Sequence, residues 1–275
     1  MSTSENIFSF ITSGLCGLAV FMFLAWLLSL KLKDASIVDR FWGLNFILLA
    51  LIYFFQTKEI YWRHLIILLL LFLWGARLSL HIHWRNHGHP EDYRYQAMRK
   101  NRGTSFWWYS LFSVFFLQGV LAFLIASPIL LIFAGEKAPI SFFDFVGIIF
   151  WGIGFYFEVM GDRQLKKFKA DPKNKGKILD QGLWALTRHP NYFGDALIWW
   201  ALFLLALPVK NGWMSVLGPI IMSFFLRYVS GVALLEKSLS KNKPGYNEYV
   251  RNTPAFAPRF GPVCKYFCNM LAKKT

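Results

Sequence analysis

Glu158, Asp162, Lys166 and Lys169 follow one another at intervals of four, four and three, so in a helix they line one stripe, with Arg163 beside it. For the lysines, a series of acid–base pairs worth about a few tenths of a kcal/mol each is an equal reading. Glu158 lies deeper in an apolar run and needs a ligand or a buried partner. Further on, Arg188-His189-Pro190-Asn191-Tyr192-Phe193-Gly194-Asp195 stands at the head of the apolar stretch 196–207. Pro190 suits a helix start, where its missing N–H would have had no partner. Arg188, Asn191, Tyr192 and Asp195 share a face if the helix starts this early. The free amides of that first turn favour an anion. Asn191 offers donors and an acceptor, and an ionised Asp195 only accepts. Such a set can hold an amide, a ribose or a phosphate-bearing group; the competing reading is a helix cap with a polar network to neighbouring loops.

Arg227 and Glu236 lie about two and a half turns apart. An intramembrane arginine needs a carboxylate, a phosphate or a cavity, and a structural salt bridge to Asp195 or Glu158 would also serve. In the front half, Asp39-Arg40-Phe41-Trp42-Gly43 opens an apolar run. Arg77, His81 and Arg85 recur by fours with His83 nearby, and Asp92-Tyr93-Arg94-Tyr95 follows. Asp39, His83 and Tyr95 are of the right types to give a proton to a substrate, although a lone histidine near a basic loop is more commonly an interface residue.

The elements that must carry these groups are membrane helices. The 275 residues are 56% hydrophobic and 19% aromatic, with a mean hydropathy of +0.39. This composition excludes disorder and argues against a soluble single domain. Seven spans are expected, at 7–30, 37–56, 63–84, 107–134, 142–162, 193–209 and 213–236. The first, Ile7 to Leu30, is too long for a signal peptide and reads as a retained helix.

Segments 31–36, 85–106, 163–192 and 237–275 hold 23 of the 30 Lys and Arg residues, against 4 in segments 57–63, 135–141 and 208–212. By the positive-inside rule the first group is cytoplasmic, which places the N-terminus outside and the C-terminus inside. The net charge of +15 therefore reads as topology, lipid headgroups and an anionic ligand, with no nucleic acid partner. Trp62, Trp84, Trp107, Trp108 and Trp213 fall at span ends, as an interfacial belt requires. Pro172 to Gly176 marks a turn, and 246–251 a short interfacial one.

Other chemistries are absent from the sequence. Cys16, Cys264 and Cys268 read as inert thiols, and no His and Cys set has the spacing of a zinc site, so no metal is expected. Gly152-Ile153-Gly154 lacks the strand context of a dinucleotide fold and reads as helix packing. No phosphate loop, His-Glu-x-x-His or nucleophile elbow is present.

The run 188–195, preceded by Gly182-Leu183-Trp184, resembles the signature of membrane steroid 5α-reductases and sterol reductases. The likeness continues in Asp162-Arg163-Gln164-Leu165 and in Glu236, Tyr246, Tyr249 and Pro258. Asp39 to Gly43 and Asp92 to Tyr95 look like a bacterial branch of that group, largely of unknown function. The match is specific over about 145–260 and looser over the first 105 residues.

The resemblance implies an all-α, seven-helix membrane bundle with NADPH in a cavity open to the cytoplasm, and hydride transfer to a carbon–carbon double bond of a steroid, sterol or isoprenoid lipid. A bacterial inner membrane is the implied location. Carried over by position, Asp162, Asn191, Tyr192, Asp195, Arg227, Glu236, Tyr246 and Tyr249 frame the dinucleotide together with Glu158 and Arg188. Arg163, Lys166 and Lys169 meet its phosphates. The chain is expected to form one membrane domain, with substrate-side helices in 1–105, cofactor-binding helices in 106–260 and a basic tail in 261–275.

The sequence departs from the steroid reductases where they polarise the substrate ketone with a Glu in the second span and a Tyr near the end of the third. Here the second span offers Asp39, and Ile82 stands where the Tyr is expected, so Asp39, His83 or Tyr95 supplies the acid. Isoprenylcysteine and phospholipid methyltransferases, which use S-adenosylmethionine, also carry Arg-His-Pro-x-Tyr before a membrane helix. They usually end with paired glutamates, whereas Leu235-Glu236-Lys237 holds one. A third reading is a non-catalytic lipid-binding or scaffold site.

Overall fold

The computed structural model describes residues 3–229, 231, 232, 236, 239, 243, 245–259, 261, 262 and 266. Cys264, Cys268, most of the expected tail and residues 230 and 233–235 of the last expected span lie outside them. The described residues are all-helical, with no strand. Helix α1 is Thr3–Leu32, and a 3₁₀ segment, Ala35–Phe41, leads into α2, Trp42–Gln56. Helix α3 is Trp62–Asn86, α4 Tyr93–Arg102 and α5 Phe106–Ser110. A π-helical stretch, Leu111–Phe116, runs into α6, Leu117–Ile125, and α7, Ser127–Ala134, follows with Pro128 in its first turn. Then come α8, Phe142–Ala170, α9, Pro190–Ala206, and α10, Leu217–Phe224, which continues as a π-helix through Val229. Tyr246–Asn252 forms α11.

Among the described residues, six helical stretches are long and apolar enough to cross a membrane: Ile7–Leu32, Ala35–Gln56, Trp62–Asn86, Tyr93–Ile125, Phe142–Ala170 and Gly212–Val229. They fit an integral membrane protein. Seven were expected. The segment expected at 193–209 forms α9, which starts at Pro190 and has 17 residues; its rise of about 25 Å is short of a hydrocarbon core of roughly 30 Å.

The chain divides into two compact units, Met1–Phe143 with Leu205–Gly218, and Asp144–Leu204 with Pro219–Thr275. In the first, α1 packs on α2, the π-helix, α6 and α7, and α2 packs on α3. Small residues set these crossings. A Cβ on Gly43 would lie 2.3 Å from the Gly75 carbonyl oxygen, so α2 and α3 meet backbone to backbone. Met22, Phe46, Leu49, Trp74 and Phe115 fill the core. Two buried polar residues at the start of α3 tie down the 132–139 segment. Arg63 donates to the carbonyls of Ala138 and Pro139 at 3.2 and 3.1 Å. His64 accepts the Tyr61 amide at Nδ1, 3.3 Å. Its Nε2 then carries the proton and donates to the Ile132 carbonyl at 3.0 Å.

In the second unit, α8 and α9 run antiparallel in close contact. A Cβ on Gly194 would meet the Gly154 carbonyl oxygen at 2.4 Å and the Glu158 amide at 2.6 Å, and one on Gly161 would meet the Asn191 amide at 3.1 Å. Gly154, Glu158 and Gly161 thus share the α8 face that α9 covers. Gly152, by contrast, has nothing within 4 Å.

Candidate functional site

The second unit gathers one polar cluster where α8 meets the start of α9. The close glycine crossing brings Asp162, one turn beyond Glu158, level with Asn191. Asn191 Nδ2 donates to Asp162 Oδ1 at 3.0 Å. That bond fixes the amide plane, and Asn191 Oδ1 is buried with no hydrogen-bond partner among the described residues. Glu158, at 2% exposure, and Asp195 are buried on the same two helices. Arg163, Lys166 and Lys169 are exposed where α8 continues past the expected span end. Tyr192 stacks on His189, with centroids 5.6 Å apart and planes 12° apart. Arg227 is exposed, its guanidinium 5.1 Å from the Tyr228 ring centre.

Arg188 and Glu236 form a second assembly beside α9. Arg188 Nε donates to Glu236 Oε1 at 2.7 Å, and its Nη2 to Oε2 at 3.0 Å. The same guanidinium donates to the carbonyls of Val250, at 2.9 Å, and Thr253. His189 Nε2 lies 3.1 Å from Glu236 Oε1. Burial alone would raise the Glu236 pKa, but the bonds and charge of His189 and Arg188 outweigh it and hold it at about 2.

The segment around α11 is stitched to the α9 entrance. The Arg188 amide donates to Pro254 O at 2.9 Å, and Thr187 Oγ1 to Phe256 O at 2.8 Å. Tyr249 donates its hydroxyl proton to Trp184 O, and Trp184 Nε1 donates to Gly161 O at 3.1 Å. Tyr246 is pushed up to about 12 by burial and by the charge of Glu236, and burial raises Tyr249 as well. Arg188, Glu236 and Tyr249 are therefore posts that hold the entrance in shape. The role of His189 in clamping Glu236 is not readable from spacing, because the two lie 47 residues apart.

The first unit holds another cluster. Asp39 sits in the 3₁₀ lead-in to α2, whose N-cap is Asp34. Tyr95 donates its hydroxyl proton to Asp39 Oδ1 at 2.8 Å, and Arg94 Nη2 donates to Oδ2 at 2.8 Å. Gln118 Nε2, from the first turn of α6, donates to Tyr95 Oη at 3.3 Å. Asp92 caps α4 and binds Arg94 Nε at 2.9 Å. Burial would raise the Asp92 pKa, but the Arg94 bonds prevail and lower it. The structure thus joins two of the expected acids, Asp39 and Tyr95. It leaves His83 exposed, its ring 5.6 Å from that of His87. Gln118 was missed, although a lone amide in a long apolar run is itself a signal.

Comparison with known proteins matches residues 25–253 to a family described as protein of unknown function (DUF1295). An uncharacterized protein of Schizosaccharomyces pombe is 25% identical over 274 residues, covering 85% of this chain and 75% of that protein. A probable O-methyltransferase, ustE, of Ustilaginoidea virens is 32% identical over 113 residues, 41% of this chain and 34% of that protein. No solved structure matches. The chain belongs to the DUF1295 family, within the steroid 5α-reductase-like superfamily.

Proposed function

We propose that this protein is an NADPH-dependent membrane oxidoreductase that reduces a carbon–carbon double bond of a lipid-like substrate. In this reading α9 counts as a seventh crossing, the cavity opens to the cytoplasm and the C-terminus is cytoplasmic. The observation that carries the proposal is the Tyr95 hydroxyl, buried at 5% exposure and held between Asp39 and Gln118.

The residues of the second unit fit the cofactor. Asn191 Oδ1 is a buried acceptor without a hydrogen-bond partner among the described residues and suits an amide or hydroxyl donor. Exposed Arg163 and Lys166 suit phosphates. When bound, NADPH supplies the hydride. The protein's own task is the proton. With Asp39 protonated and donating to Tyr95 Oη, the Tyr95 hydroxyl turns to the substrate oxygen conjugated to the double bond and gives its proton there as the electrons move. Asp39, whose side chain is 21% exposed, is the more open member of the pair and passes its proton to Tyr95. Gln118 and Arg94 hold the two in register.

The test is thermal stability in detergent with NADP(H), NAD(H) or S-adenosylmethionine, followed by NADPH oxidation in the presence of steroid and isoprenoid enones. Stabilisation by NADP(H) with enone-dependent oxidation is expected. One observation favours a second reading, a methyltransferase: the partial likeness to a probable O-methyltransferase. Stabilisation by S-adenosylmethionine alone would put that reading first.

A further inference from the structure

The lead-in that carries Asp39, Ala35–Phe41, is a 3₁₀ helix of seven residues, where such runs rarely exceed about four. Its hydrogen bonds are poorer than those of an α-helix, so a run this long needs holding from outside. Two bonds from the α4 side hold it. Glu91, just before α4, accepts the Ala35 amide at 2.7 Å. Tyr95, in the first turn of α4, donates to Asp39 at 2.8 Å. Ala35 and Asp39 are four residues apart, and so are Glu91 and Tyr95, so the two bonds form the rungs of a ladder. From Ala35 to Asp39 a 3₁₀ helix rises about 8 Å and an α-helix about 6 Å, and the α-helix would turn Asp39 back by roughly 80°. With both rungs made, the segment keeps its longer rise. Without the Glu91 rung it is free to relax and to carry Asp39 away from the Tyr95 hydroxyl.

Glu91 is itself held in place. Arg99 donates Nε to Glu91 Oε2 at 3.0 Å and Nη2 to Oε1 at 2.9 Å. Nη2 also reaches the Lys33 carbonyl at 3.4 Å, and the guanidinium lies 4.4 Å from the Phe106 ring centre. The Glu91 side chain is 9% exposed. Among the described residues its carboxylate bonds Ala35 and Arg99, not Asp39 or Tyr95, so its influence on that pair passes through the backbone of the lead-in. We propose that Glu91, aligned by Arg99, is a positioning residue that keeps the lead-in 3₁₀ and thereby sets Asp39 against Tyr95. Its effect on turnover rests on the reading of Asp39 and Tyr95 as the proton-delivering pair; the ladder does not.

The experiment uses the full chain in detergent, labelled with ¹³C at tyrosine Cζ. The Tyr95 signal is identified by its loss in Tyr95→Phe, and its position without the Asp39 bond is read from Asp39→Ala. Glu91→Ala is expected to move the signal most of the way to that position. Glu91→Gln, which keeps an oxygen for the Ala35 amide, is expected to leave it near the wild-type one. In enone-dependent NADPH oxidation, Glu91→Ala is expected to lower kcat by roughly 10–100-fold with KM little changed, and Glu91→Gln to recover most of the rate. In a Tyr95→Phe background, Glu91→Ala is expected to change kcat by less than about twofold, because the two residues act as one unit; a merely structural loss would lower both backgrounds alike. An unmoved Tyr95 signal in Glu91→Ala, or an equal fall of rate in both backgrounds, would overturn the inference. Where Glu91→Ala does not accumulate, Arg99→Gln, which unties the carboxylate, serves with the same expectations. A signal that moves as expected in a protein that oxidises no NADPH with any enone would remove the reductase reading and leave the ladder in place.

Discussion

Asn191 donates its side-chain amide to Asp162 across the α8–α9 crossing at 3.0 Å, so one carboxylate decides which way the amide faces. With its nitrogen committed to Asp162, the oxygen of Asn191 is presented as an acceptor. Asn191→Leu is expected to weaken NADP(H) binding by about tenfold or more, the usual effect of losing a buried polar partner. Asp162→Asn, which frees the amide to flip, is expected to weaken it less. Titration in detergent checks both, with circular dichroism as the test of fold.

The same crossing depends on Gly194. Any Cβ there would meet the Gly154 carbonyl oxygen at 2.4 Å and the Glu158 amide at 2.6 Å, both backbone atoms. Gly194→Ala is expected to destabilise the protein by about 2 kcal/mol or more. Gly152→Ala, with nothing near its Cβ, is expected to be neutral or slightly stabilising. Melting temperatures of the two variants side by side decide it.

Acid stability follows from Glu236. Its pKa is held at about 2, below the ordinary 4.5, so the fold favours the carboxylate. The contribution of Arg188 and His189 is fully present above about pH 4.5 and is lost as pH falls from there towards 2. Melting temperature measured down that window is expected to fall more steeply for wild type than for Glu236→Gln. At pH 7 the variant is expected to be the less stable of the two.

Turnover tests the first unit. Tyr95→Phe is expected to lower the rate of enone-dependent NADPH oxidation by roughly 10²–10⁴-fold, the range for a general acid, with substrate affinity little changed. Asp39→Asn is expected to slow turnover while leaving binding intact. An unchanged rate in either variant, under conditions where chemistry limits, removes that residue from the mechanism.

Much of the second cluster was legible in the sequence because its parts are local. The 158–169 stripe and the 188–195 run each fit one helix or helix entrance, where spacing alone sets the facing. The partner of Glu236 was not legible. Arg227 is nearer in sequence, yet Glu236 is held by Arg188, 48 residues away, and Arg227 is exposed against Tyr228. In the first unit, residue type singled out Asp39, His83 and Tyr95 alike. Only the fold of α4 against the lead-in to α2 separates the hydrogen-bonded pair from the exposed His83. The crossing at Gly154 was foreseen as packing, but its partner, forty residues on, was not, because helix pairing leaves no local trace.

The α9 entrance is tied to carbonyls that lie 62 to 69 residues downstream in the chain, those of Val250, Thr253, Pro254 and Phe256. During synthesis this corner cannot set until the segment around α11 has left the ribosome. A nascent chain halted before Val250 carries the six long apolar helices of the described residues yet lacks the stitching. Premature termination in this short stretch would therefore leave the α9 entrance unheld although the apolar helices are all made.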